Sequence, residues 1–490
     1  MMNFEKYVSP EAAGIPSEKI LEFIQYLENK KMCMHNIMLL HRGKIVFEAH
    51  YPPFTPDSFH RMYSVTKSFV SMAVGFMIDE GKISLDDRVI KYFPEYLNDN
   101  INEYQNRATI RDMLKMTDCH TEPLYGFIDE DWIRTWFDKP ATHPAGMVFS
   151  YNTCCTNMCC AIVEKLSGMS FIDYLYPRLF EPVGASKGIT CIKTPEGYSF
   201  GGSGVLATPL DLALVMQVCL NNGAWQGKQL ISEGYIREAT SYLVDNSVTG
   251  NNIDERQGYG YQFWRTRHNG FACYGMGSQY AICLPDHDMV IVTTADTQGT
   301  TNAGYIVHEA IFSNLLPVLK DEPLQEDLNA QSELYEYNSS LELPLVPGKM
   351  TSPIAEQISG VRYDFNDNPF NIKNVKFDFY DDEVTMTYEK PNGIHKLRFG
   401  IGKLIEQPFP ETHYSGMQIG VPAGYGYESR AGAAWSTENC LNAKVYVTDD
   451  YLGSFSMNAV FKENEITIIM SKIAEDFLHD YMGTATGNKV

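Results

Sequence analysis

A serine stands three residues before a lysine at Ser64-Val65-Thr66-Lys67, and an apolar run follows directly. Phe69, Met72, Ala73, Phe76 and Met77 recur at helical spacing, and Gly81 offers a C-terminal stop. Read as a helix beginning near Ser64, the stretch places Lys67 one turn on, above the same face as the serine. The serine then lies at a helix N-terminus, where unpaired N–H groups and the dipole favour negative charge. A serine hydroxyl is a poor nucleophile at neutral pH and needs an adjacent base. A lysine serves as that base only if burial or a neighbouring cation brings its pKa down from about 10.4. The chemistry expected of the pair is attack on a carbonyl. The bland readings are a helix N-cap for Ser64 and a solvated surface amine for Lys67.

The rest of the composition bounds what such a pair can serve. The chain has 490 residues, 44% hydrophobic and 20% charged, which is globular text long enough for two domains. A formal net charge of −22 argues against nucleic acid or an anionic membrane surface as partner. The opening MMNFEKYVSPEAAG lacks the basic and apolar regions of an export signal, and no 18-residue apolar run occurs, so the expected location is the cytoplasm. Eleven cysteines then read as reduced thiols. Cys154, Cys155, Cys159 and Cys160 sit inside an apolar helical run, without paired C-x-x-C spacing or a nearby histidine, and read as core residues. No metal or other cofactor is expected. His60, His120, His143 and His268 read as packing or surface residues.

Several elements must position the serine. An opening helix (IPSEKILEFIQYLENK) precedes a strand pair, HNIMLLHRGKIVFEAHY, turning at Arg42-Gly43. Two strands ahead of a nucleophile helix suggest an α/β arrangement, with a helix packed on an antiparallel sheet. ATIRDMLKMTDCH reads as a helix capped by Thr109, and residues 118–150 as an irregular, aromatic-rich segment. A helix follows to Gly168, and an amphipathic one opens at Pro209. GYGYQFW, QYAICL and MVIVTTA read as strands, with a closing helix over 303–319. Residues 321–350 have linker composition, dividing a domain over 1–320 from a β-rich one over 351–490. In the latter, alternating strands flank a Pro391-Asn392-Gly393 turn. Trp132, Trp136 and Trp264 suit either a pocket wall or the core.

An isolated S-x-x-K is weak, since about one match arises by chance in a chain this long. Three further features follow it in order. Phe149-Ser150-Tyr151-Asn152-Thr153 opens a helix, Gly201-Gly202-Ser203-Gly204 precedes another, and Gly275-Met276-Gly277-Ser278-Gln279-Tyr280 leads into a strand. Over roughly residues 5–315 this order resembles the serine hydrolases of the penicillin-binding-protein and class C β-lactamase superfamily, nearest the esterase and 6-aminohexanoate-dimer-hydrolase branch.

The resemblance implies an α/β (α+β) fold, an antiparallel sheet flanked by helices with an all-helical region; the small β-rich C-terminal domain follows it in the sequence. It implies Ser64 as acylated nucleophile, Lys67 as its proton acceptor and Tyr151 as proton relay. Thr153 takes the place of a helper asparagine. Where β-lactamases carry K-T-G, this chain has Cys273-Tyr274-Gly275, so the cation that greets a β-lactam carboxylate is missing. The N–H groups of Ser64 and Met276, or of Gly277 if the motif shifts by one, would form the oxyanion hole beside Gly275, a role independent of side chain. The expected activity is hydrolysis of a small-molecule ester or amide through a Ser64 acyl-enzyme. An amidase or D-amino-acid peptidase, an acyltransferase on small peptides, a β-lactamase and a non-catalytic acyl- or peptide-binding sensor stand as alternatives. The β-rich domain is open to roles in capping the site, pairing subunits as a homo-oligomer, or holding a separate ligand.

Overall fold

Pro16 precedes the first long helix, α1 (Ser17–Asn29), which buries Ile20, Leu21, Phe23, Ile24 and Leu27 along one face. The computed structural model of the chain describes residues 4–121, 131–250, 252–411, 426–474 and 478–490. Two units result, Met1–Leu343 and Pro344–Val490. In the first, β1 (Met34–His41) and β2 (Lys44–His50) form the expected hairpin. The helical text after Ser64 becomes a 3-10 turn, Tyr63–Val65, running into α2 (Thr66–Asp79). Next come α3 (Ile110–Leu114), α4 (Trp132–Asp138), α5 (Thr153–Ser167) and α6 (Pro209–Leu220). The strands β3 (Trp264–Arg265), β4 (Phe271–Gly275), β5 (Gln279–Leu284) and β6 (Met289–Ala295) complete the sheet. The helix α7 (Ala303–Ala310) closes this series.

The sheet is antiparallel throughout, in the order β2-β1-β6-β5-β4-β3. In α6 the buried residues run all round the helix, where an amphipathic pattern was expected. The reason is that α6 is sandwiched: Met216 meets Cys273 on the sheet at 3.6 Å, and Cys219 meets Met72 of α2 at 3.7 Å. The four clustered cysteines of α5 are free and buried, and burial raises all four thiol pKa values.

Three further stretches differ from expectation. GYGYQFW is strand only at its end, because Gly258 and Gln262 take positive φ (104° and 64°) and break the extended run. Gln262 turns inward instead, receiving Ser68 Oγ of α2 on its carbonyl (2.6 Å) and Thr156 of α5 on its amide oxygen (2.7 Å). It also donates to the Met113 and Leu114 carbonyls of α3. The stretch 321–350 is not plain linker: α8 (Leu328–Ser339), capped by Asp327, lies inside it and packs on α1. Trp132 and Trp136 fill the core, and α4 interrupts the segment expected to be irregular; residues 122–130 of that segment lie outside the described residues.

The second unit is a ten-stranded antiparallel sheet that begins, in spatial order, with Gly393–Ile401. The first strand also pairs in parallel, at Gly400 and Ile401, with Gly432 and Ala433 of the ninth, which closes a barrel. Alternate burial along Glu383–Lys390 matches the period-two text around the Pro391-Asn392-Gly393 turn. Lys390 and Glu411 form a buried ion pair at 3.0 Å in its wall, with Tyr388 donating to the same carboxylate at 2.9 Å.

Just ahead of the serine, two buried histidines form a chain. His60 Nδ1 lies 3.1 Å from the Ser58 carbonyl, which accepts only, so the neutral ring donates there and leaves Nε2 bare. His35 Nδ1–H then donates to that nitrogen at 3.1 Å, while its ring stacks on Phe54 at 3.8 Å. Burial holds His60 down at about 4 and His35 well below the ordinary 6.5. An unfolded chain binds protons at both rings below pH 6.5 and the folded one does not, so stability is present above that pH and is lost as pH falls toward 4. Each tenfold weakening of proton binding on folding corresponds to about 1.4 kcal/mol, so denaturant melts at pH 7 and pH 4.5 should differ by a few kcal/mol. In His60→Asn the difference should shrink.

Candidate active site

Ser64 occupies the 3-10 turn, and Tyr63 before it is forced to φ +47°, a left-handed conformation that a tyrosine adopts only when its surroundings dictate it. Three contacts dictate it. The Met62 N–H donates to the Val205 carbonyl at 2.7 Å, the Val205 N–H to Thr66 Oγ1 at 3.0 Å, and Arg61 donates to the Ser203 carbonyl at 3.1 Å while stacking over the Tyr63 ring. Lys67 lies one turn on, only 1% exposed, with Nζ 2.9 Å from Ser64 Oγ. It also donates to the Gly202 carbonyl at 2.6 Å. The Gly-Gly-Ser-Gly turn therefore aims the amine, a role that spacing alone did not reveal.

That turn lies flat against α5. A Cβ on Gly202 would fall 2.1 Å from Thr153 Cγ2, and one on Gly201 would fall 2.4 Å from Cys160 Cβ. Asn157 Oδ1 accepts the Gly202 N–H at 2.9 Å. Thr153 thus supports the Lys67 carbonyl partner and lines no cavity at the serine. Asn152 caps α5 through the Cys154 N–H, and Tyr151 leads in from outside, 39% exposed. Its ring centroid is 5.0 Å from Lys67 Nζ and 5.2 Å from the Trp264 ring.

The other wall is the β4–β5 hairpin. Gly275 is required by close approach, since a Cβ there would lie 2.3 Å from the Met62 carbonyl oxygen, immediately before the serine turn. Gly277 and Ser278 take positive φ in the three-residue loop. Gln279, buried behind the loop, donates to the Met276 and Gly277 carbonyls at 3.2 and 3.1 Å and to the Ala295 carbonyl. Met276 is the first residue of that loop, directly after Gly275. Cys273 faces Met216 in the core.

Ser64, Tyr151, Gly275 and Met276 share one cavity of about 400 Å³ with Trp264, Tyr274 and Glu255; Gly277 and Thr153 are outside its lining. Tyr274 O–H bonds His308 Nε2 at 2.7 Å. His308 Nδ1 in turn lies 2.7 Å from the Gly304 carbonyl. Burial lowers the His308 pKa and raises that of Tyr274, so both stay neutral. Asp118, Cys119 and His120 form a second, fully buried group whose ligand atoms lie within 4.8 Å. They bond one another, Trp136 Nε1 and the Lys139 carbonyl, and none of them lines this cavity.

Residues 34–313, more than half of the chain, match the Beta-lactamase family profile. The chain belongs to the β-lactamase family. Among curated relatives of this family member, the 6-aminohexanoate-dimer hydrolase of Paenarthrobacter ureafaciens is 24% identical over 285 residues, covering 54% of this chain and 72% of the relative. The D-aminopeptidase of Gluconobacter oxydans (strain 621H) is 26% identical over 153 residues, 30% of this chain and 29% of that protein's length. A solved Bacillus anthracis structure, provisionally assigned as a 6-aminohexanoate-dimer hydrolase, superposes with a TM-score of 0.52 at 19% identity, over 64% of this chain and 87% of its own. That likeness bears on the fold, and the family is one of hydrolases. No helix among the described residues is long and apolar enough to cross a membrane.

Replacing Gly275 by alanine should push the hairpin off the serine turn, costing about 1–3 kcal/mol. Gly234→Ala, where the added methyl meets nothing within 4 Å, is the control. Thermal melting should separate the two, and the rate at which a fluorophosphonate labels the protein should fall at least about tenfold in Gly275→Ala alone.

Proposed function

We propose that this hydrolase-family chain cleaves an ester or amide of a small molecule through an acyl-enzyme on Ser64. Ser64 Oγ attacks the carbonyl carbon as its proton passes to Lys67 Nζ. The carbonyl oxygen becomes an oxyanion that accepts from the N–H groups of Ser64 and Met276, each contributing about 3–4 kcal/mol. Tyr151 relays the proton to the leaving oxygen or nitrogen, the C–O or C–N bond breaks, and the acyl group stays on Ser64. Water, deprotonated through Tyr151 and Lys67, then attacks the ester, and the serine takes its proton back. The observation that carries the reading is the 2.9 Å approach of a buried lysine to a serine on the wall of a cavity shared with Tyr151 and Met276.

An amidase or peptidase preference within this mechanism is favoured by the names of the curated relatives, one a 6-aminohexanoate-dimer hydrolase and one a D-aminopeptidase. A β-lactamase is disfavoured by Cys273, which puts an uncharged, core-facing thiol where that activity uses a lysine. Comparing p-nitrophenyl esters, D-alanyl anilides and nitrocefin ranks the three.

Intact mass after mixing with a p-nitrophenyl ester should show one acyl adduct, absent in Ser64→Ala. Lys67→Met and Tyr151→Phe should each lower kcat by about 10²–10⁴. Full activity in Ser64→Ala sinks the mechanism, and failure of a fluorophosphonate to label the wild type points to a sensor instead.

A further inference from the structure

The cavity that holds the serine is unusual in its charge and in its surfaces. Among the described residues no lysine or arginine lines it; Lys67 lies behind the serine, and Arg256 donates its Nε to the Gly250 carbonyl at 2.7 Å without joining the lining. Glu255 supplies the one acidic side chain among the described lining residues. Five aromatic residues line the space, and three of them form a run: Tyr151 and Trp264 lie 5.2 Å apart, and Trp264 and Tyr274 5.7 Å apart. A carboxylate beside aromatic faces attracts a cation twice over, by direct charge and through the ring quadrupoles.

The acid is held firmly. Asn252 caps its turn, accepting the Asp254 and Glu255 N–H groups at 2.9 and 3.2 Å, and its amide donates to Glu255 Oε1 at 3.0 Å. Asn246 donates to the Glu255 carbonyl at 2.9 Å and accepts the Gly258 N–H at 2.8 Å. The neighbouring Asp254 pairs with Nε and Nη2 of Arg267 at 2.8 and 3.1 Å. A preorganised carboxylate loses little freedom on meeting a ligand, so its charge translates into selectivity.

We propose that this cavity selects substrates carrying a cationic nitrogen, an ammonium or quaternary ammonium, held by Glu255 and the Tyr151–Trp264–Tyr274 faces while the carbonyl meets Ser64. This rests on the Ser64 hydrolase reading and deepens it. A substrate with a carboxylate in the same place would face Glu255 and be repelled.

The test uses two esters of one shape, p-nitrophenyl 4-(trimethylammonio)butanoate and its uncharged isostere p-nitrophenyl 5,5-dimethylhexanoate, with the full-length protein. For the wild type kcat/KM should favour the cationic ester by about tenfold or more, chiefly through KM. Glu255→Gln keeps the shape and the Asn252 contact of its side-chain oxygen. It should lower kcat/KM for the cationic ester and so remove most of that preference. As a second measurement, tetraethylammonium should slow fluorophosphonate labelling of wild-type Ser64 and should do so less in Glu255→Gln. Equal rates for the two esters, or a preference that survives Glu255→Gln, overturns the proposal. If Ser64 is labelled by fluorophosphonate yet the cationic ester is not turned over, the selectivity is wrong and the hydrolase reading stands. If Ser64 is not labelled at all, the hydrolase reading falls first and the selectivity with it.

Discussion

A lysine amine packed between a serine hydroxyl and a carbonyl oxygen is the constraint on which the α/β unit depends. Burying an amine requires partners for its protons, and here they come from two stretches far apart in sequence, the serine turn and the Gly202 carbonyl. That demand explains features which otherwise look unrelated. Gly202 must be a glycine for its turn to lie on Thr153, Thr153 must begin α5, and α5 must open two residues after Tyr151. The geometry of one nitrogen thus sets the position of the loop, the helix and the tyrosine together.

The same economy appears on the sheet side. The β4–β5 hairpin reaches the serine turn only because Gly275 carries no side chain, and its loop is held from behind by Gln279. The backbone N–H at position 276 is fixed by a glycine and a glutamine that lie outside the loop itself. The side chain at 276 is left exposed.

What was legible in the sequence follows from the range of the interactions involved. The hairpin at Arg42-Gly43, the Thr109 cap and the helix stop at Gly168 are local, and each was readable within a few residues. Ser64 and Lys67 were readable as a pair because one helical turn joins them. The partner of Lys67 at Gly202, the hub made by Gln262 and the acid at Glu255 were not, because each depends on a contact across more than a hundred residues or on which loops share a cavity. The amphipathic reading of 209–220 failed for a related reason. A helix covered on both sides has no polar face, and what covers it is not written in its own residues.

The bond between Tyr274 and His308 has a consequence for how a ligand meets the cavity. With Nδ1–H given to the Gly304 carbonyl, the neutral imidazole has only a lone pair left at Nε2, so the phenol must spend its proton there. Tyr274 then has no proton to offer a substrate, and its polar end points into the protein interior. From within the cavity it behaves as a phenylalanine, and a wall rich in tyrosine is at that point a dry hydrocarbon surface.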